Sequence, residues 1–178
     1  MPLTLDGNGD IAGLVAGALP ANVIGAGGIL QVVQTVKTDT FSTTSDTFTD
    51  ITGLSVSITP TASSSKILVI ANYTGSNQVG YSWGRLVRGS TAICIADAAG
   101  SRVQATTANF YQPNADRSFT GSVCFLDSPA TTSATTYKIQ IIVQTGGYTT
   151  YINRTSGDTD SAAYGRFTST ITVMEIAA

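Results

Sequence analysis

Histidine is absent from the chain, and glutamate occurs once, as Glu175. Without an imidazole no Ser or Cys nucleophile has its usual general base, and His-ligated zinc is ruled out. Glycoside hydrolysis needs two carboxylates about 5–9 Å apart whose pKa values are driven apart. The closest acidic pair in sequence in the later half, Asp158 and Asp160, lies in a Gly/Ser/Thr/Asp stretch that reads as a solvated turn. Asp6, Asn8 and Asp10 imitate the opening of a calcium loop. Ile11 then stands where the sharp turn needs Gly, and Gly17 where a bidentate acid belongs. Gly25, Gly27 and Gly28 lack the Lys-Ser/Thr of a phosphate loop and read as a joint. No catalytic residue, metal ligand or cofactor site is expected.

Recognition chemistry remains. Tyr148, Tyr151, Asn153, Arg154 and Trp83 are amphipathic or polar side chains suited to a glycan or a protein receptor. Tyr148 and Tyr151 follow Gly146 and Gly147, so they are expected to line an exposed hairpin. Trp83 has packing as its ordinary role and a glycan platform as the alternative. Arg85 shares a face with Tyr81 and Trp83 if that segment is a strand, with pairing to an acid as its other use. Cys94 and Cys124 both sit in apolar runs and read as two buried thiols, a disulfide being the alternative.

These side chains need strands to position them. Leu54, Val56 and Ile58 alternate with Ser55, Ser57 and Thr59 until Pro60 ends the run, which is the period of a half-buried strand. Tyr137, Ile139, Ile141 and Val143 repeat the pattern, with Ile142 the exception on the polar side. Residues 29–36, 67–73, 81–87, 122–126, 148–153 and 167–176 are further strand candidates, rich in Thr, Val, Ile and Tyr. No window shows a convincing helical stripe. Short strands at this spacing predict an all-β, antiparallel β-sandwich of jelly-roll type over residues 29–178. Residues 1–28, rich in Gly, Ala and Leu, predict an extended N-terminal arm that anchors the domain to a larger assembly.

One strand is apolar on both sides. Ile67, Val69 and Ala71 point one way, and Leu68 and Ile70 the other. A sandwich core uses one side only, so Leu68 and Ile70 are expected at an oligomer interface, a trimer being the expected form.

Composition narrows the partners. The chain has 178 residues, 11% of them charged, with nine basic against eleven acidic. That leaves no basic stripe for nucleic acid and little self-repulsion to oppose permanent assembly. No apolar run is long enough to span a bilayer as a helix. No Lys or Arg precedes Lys37, which counts against the basic region of a secretory signal. Asn72-Tyr73-Thr74 and Asn153-Arg154-Thr155 fit the glycosylation pattern, which carries weight only in a secreted protein.

An ordered set of segments carries a resemblance. It includes Leu30-Gln31-Val32-Val33-Gln34, Phe48-Thr49-Asp50-Ile51-Thr52-Gly53-Leu54, Ser63-Ser64-Ser65-Lys66-Ile67-Leu68-Val69, Arg85-Leu86-Val87-Arg88-Gly89-Ser90, Phe125-Leu126-Asp127-Ser128-Pro129 and Tyr151-Ile152-Asn153-Arg154. With the opening Leu3-Thr4-Leu5-Asp6-Gly7 and the closing run 169–176, the chain resembles tail-fibre and virion-surface structural proteins of tailed bacteriophages, those of cyanobacteria and other aquatic bacteria in particular. The resemblance implies a β-sandwich head on the virion, without enzymatic activity, that attaches to a host-surface glycan or protein. It also implies other virion proteins as partners of residues 1–28. The short segment before the head departs from a long-shafted fibre, so a capsid decoration or cement protein is the alternative expectation.

Overall fold

The computed structural model describes residues 4–5, 11–12, 26–77, 80–108, 114–144 and 147–178, and among them it is all-β. Most of the expected arm, with the Asp6, Asn8 and Asp10 turn, lies outside the described residues. Within that stretch β1 (Thr4–Leu5) pairs antiparallel with β2 (Ile11–Ala12). The remaining strands are β3 (Ile29–Lys37), β4 (Phe41–Thr43), β5 (Thr49–Ile58), β6 (Lys66–Asn77), β7 (Ser82–Arg88), β8 (Thr91–Ile93), β9 (Thr107–Ala108), β10 (Phe119–Asp127), β11 (Thr135–Val143), β12 (Thr150–Ile152) and β13 (Ser169–Ile176).

They form two antiparallel sheets. In the first, β3, β13, β6 and β10 lie side by side, and β12 and β4 extend it beyond the end of β13 along the same edge of β6. In the second, β5, β11 and β7 are followed by the short β8 and β9, which share one edge of β7. The chain thus pairs β3 with β13, β5 with β11, β6 with β10 and β7 with β8, the nested hairpin of a jelly roll. The expected β-sandwich is the observed fold.

Alternation builds the core. Ile67, Val69 and Ala71 are fully buried between the sheets, as are Ile171 and Val173 beside them on β13. From the second sheet Leu54, Val56, Ile58, Leu86, Tyr137, Ile139 and Ile141 face them. One irregularity sits in β5. Lys138 pairs with Ser55 and Gln140 with Asp50, so Ile139 alone faces residues 51–54. The bulge turns on Gly53, whose φ of +82° suits glycine, and it brings both Ile51 and Leu54 into the core.

Tyr73 joins the two layers. Its ring meets Phe119 edge-on at 6.3 Å, and its hydroxyl bonds the Thr107 hydroxyl of β9. Gly84 on the opposite sheet and Gly121 on the neighbouring strand make room for that ring, since a Cβ at either would overlap it. Burial pushes the Tyr73 phenol up to about 12 despite the Thr107 bond, so it stays neutral.

Candidate functional site

Register settles what lies on the outside of the first sheet. Val32, Met174, Leu68 and Leu126 are direct neighbours across β3, β13, β6 and β10, and form one apolar row four strands wide. The next row is Gln34, Thr172, Ile70 and Cys124, and the one after it Val36, Thr170, Asn72 and Ser122. Leu68 and Ile70 do point away from the core, and both are half-buried by their neighbours. Val32, Val36 and Leu126 stay 55%, 52% and 53% exposed. The only charged side chain in these rows and the one before them is Lys66, whose Nζ donates to the Ser128 hydroxyl at 2.8 Å. This is a broad, nearly uncharged sheet face with large apolar groups open to solvent.

The expected buried thiols are placed differently. Cys124 is exposed on the edge strand of this face because its β10 position alternates outward. Cys94 is half-buried after β8, packs against the core and is not bonded to Cys124.

The carboxylates that sequence spacing could not pair are paired by register. Glu175, Ile67 and Asp127 stand in one row of the first sheet, all pointing between the layers. Glu175 accepts bonds from Gln31 Nε2 at 2.6 Å, from the Thr61 amide at 2.7 Å and from the Thr61 hydroxyl at 2.8 Å. Burial pushes its carboxyl up, but bonds from Gln31, Ser65 and Thr61 outweigh that and hold it below the ordinary value. Asp127 takes Arg88 Nη1 at 2.9 Å on each oxygen and the Tyr137 hydroxyl at 2.7 Å. Burial and the adjacent Asp127 push the Tyr137 phenol up, so it remains the donor. Each acid ties the first sheet to another element: Glu175 to the loop after β5, Asp127 to β7 and β11. These groups are structural clamps.

The expected receptor contacts divide. Asn153 is fully buried, with a left-handed φ of +63°. Its Nδ2 donates to the Lys37 and Asp39 carbonyls at 2.8 and 3.0 Å, and its Oδ1 accepts from the Ser169 hydroxyl at 2.6 Å. Asn153 therefore cannot touch an external ligand or carry a glycan; it locks the β3–β4 turn to β13. Arg154 lies 3.9 Å over the Tyr151 ring and reaches Asp158 at 3.3 Å, so its charge is used within the chain. Tyr148 and Tyr151 are half-buried. Trp83 stands on the second sheet, half-buried and stacked on the exposed Tyr81 with ring centroids 6.4 Å apart. Trp83 and the Tyr151–Arg154 pair thus belong to different sheets and do not form one continuous platform through strand pairing.

Arg85 is likewise engaged. It sits 3.9 Å over Phe48 and donates to Gln140 at 2.9 Å. Gln140 donates in turn to Asp50 at 2.7 Å, and Lys138 reaches the other Asp50 oxygen at 2.7 Å. No strand period announces this chain of contacts, because it runs across three strands whose order the sequence leaves open. No protein-family model matches the chain, and no curated protein matches it either.

Proposed function

We propose that the protein is a structural component of a bacteriophage virion, a tail-fibre-type head that assembles as a homotrimer and mediates attachment to the host surface. It works by binding rather than catalysis. The observation that carries this reading is the uncovered row Val32, Met174, Leu68 and Leu126 with Ile70 beside it. A sheet face that exposes large apolar groups and almost no charge loses free energy in water and gains it when covered, at roughly 25 cal/mol per Å² removed from solvent. A second copy suits it best, because a face whose one charged side chain, Lys66, lies at its end needs almost no opposite charge in its partner. Residues 1–28 tether the assembly to other virion proteins in this reading, and the loops at the Tyr151 end face outward.

Electron microscopy of particles labelled with antibody against the purified chain is the test. Label at the tail supports an attachment head. Label spread over the capsid replaces attachment by decoration of the head. Particles that carry no label sink the virion reading altogether.

A further inference from the structure

The strands that end the two sheets are not equally guarded. An edge strand offers unpaired N–H and C=O groups to any extended chain, and folded proteins blunt such edges with charge, proline, bulges, short length or a cover. The edge strand β5 carries Asp50 and the bulge at Gly53. Strand β7 is covered by β8 and β9, which are three and two residues long, and β4 is three residues long. Strand β3 shifts register against β13 between Glu175 and Ile176 and ends in Lys37. It is also bridged towards the second sheet by Gln31 Nε2, which donates to the Thr59 carbonyl at 2.8 Å.

None of these devices protects β10. It runs nine residues and pairs with β6 in unbroken register, from Phe119 opposite Gly75 to Asp127 opposite Ile67. It holds no proline and no basic residue, and its one acid, Asp127, is turned inward onto Arg88. Thr120, Ser122, Cys124 and Leu126 are all exposed. Among the described residues only β6 pairs with it.

We infer that β10 docks on the β10 of a second copy, antiparallel about a twofold axis, so that the two first sheets run on as one. The strand is self-complementary in that arrangement. In the register that pairs the whole strand, Val123 faces its own copy, Ser122 stands opposite the second copy's Cys124, and Thr120 opposite its Leu126. Parity is kept throughout, so Gly121, Val123 and Phe125 stay on the core side of both copies. The two Asp127 carboxylates end roughly 27 Å apart at about 3.4 Å per residue. A parallel pair would instead set them side by side, where like charges repel. The contact uses main-chain groups at the sheet edge, so it is separate from the apolar face assigned above to the trimer and does not rest on that reading. One strand pair is a small interface, so it forms at high local concentration and dissociates in dilute solution.

Cys124 supplies the probe. In the paired form the two Cys124 side chains lie diagonally across the junction, about 7–8 Å apart, within reach of a short bismaleimide. At millimolar protein concentration a dimer linked from Cys124 to Cys124, identified by peptide mass, is the expected product. The β10 amides that point away from β6 should then exchange with solvent more slowly than at micromolar concentration, by roughly threefold or more. Ser122→Lys, at an exposed position, sets two ammonium groups across the junction and should abolish both signals. Asn72→Lys adds the same charge in the same exposed row one strand further in, on β6, and should leave both intact. Circular dichroism checks that each variant is folded. Absence of concentration-dependent protection in β10 overturns the inference. Equal loss in Ser122→Lys and Asn72→Lys does so too, since it assigns the contact to the sheet face. In Leu68→Asp the β10 protection should persist at millimolar concentration; its loss there would overturn the edge as a surface of its own.

Discussion

The outer faces of the two sheets start from the same alternating strands and end in opposite condition. On the second sheet the apolar outward residues at the centre are covered, Val87 being 1% exposed and Ile142 8%, and only Tyr81, stacked on Trp83 at the end of β7, is half exposed at 51%. Around them Asp50, Lys138, Gln140 and Arg85 form a connected polar surface. On the first sheet Val32, Val36 and Leu126 are each more than half exposed, and the flanking polar groups are Thr, Ser, Gln and Asn. Polar alternation alone does not make a solvent face; long charged side chains that lie across apolar neighbours do. The first three rows of the first sheet lack them, and that is why the proposed assembly is placed on this face.

The largest expected effect comes from placing a charge on each face in turn. Leu68→Asp should convert the proposed oligomer to monomer in light scattering while the unfolding temperature of the monomer stays close to that of the parent fold. An unpaired carboxylate enclosed at an interface costs about 3–5 kcal/mol, a loss of two to three orders of magnitude or more in affinity. Ser55→Asp, on the exposed side of β5, should leave the mass unchanged. If both variants keep the parent mass, the contrast between the faces has no bearing on assembly.

A change between the layers should do the opposite, lowering stability without touching mass. Glu175→Gln removes the negative charge and one of the two acceptor oxygens that Gln31, Thr61 and Ser65 share, at an expected cost of about 1–3 kcal/mol at neutral pH. Because the folded carboxyl is held below its ordinary value, its stabilisation is complete above the usual carboxylate range. It fades as pH falls through the folded value. The gap in melting temperature between parent and variant should therefore narrow as the pH is lowered below the usual carboxylate range, which thermal scans in acidic buffers measure. A gap that is constant with pH would show that the charge of Glu175 is not what holds the loop after β5.

The smallest effect belongs to the polar network of the second sheet. Asp50→Asn should change stability by about 1 kcal/mol or less, and by less still in high salt, because half-exposed pairs are screened. Chemical denaturation at two salt concentrations measures it. A loss of several kcal/mol would mean that this face, too, is organised by more than solvation.

Much of the fold was legible because strand period is a local property. The run Leu54, Val56, Ile58 and the run Ile67, Val69, Ala71 each state which side faces the core. Leu68 and Ile70 were legible for the same reason, as apolar residues on the wrong parity. Their companions Val32, Met174 and Leu126 were not, since only pairing places them in one row. Asn153 misled: in sequence it is a polar residue closing the strand candidate 148–153 beside Tyr148 and Tyr151, whereas its left-handed backbone and three side-chain hydrogen bonds place it inside. Asp127 carried no signal at all, because its partners Arg88 and Tyr137 come from the opposite sheet.

The sequence by itself determined an all-β chain with no imidazole chemistry, weak charge and an excess of apolar strand residues, because these follow from residue type and a period of two. Tertiary structure decided which carboxylates are clamped and which face is left uncovered. Those depend on strand order and register, which join residues that are far apart along the chain.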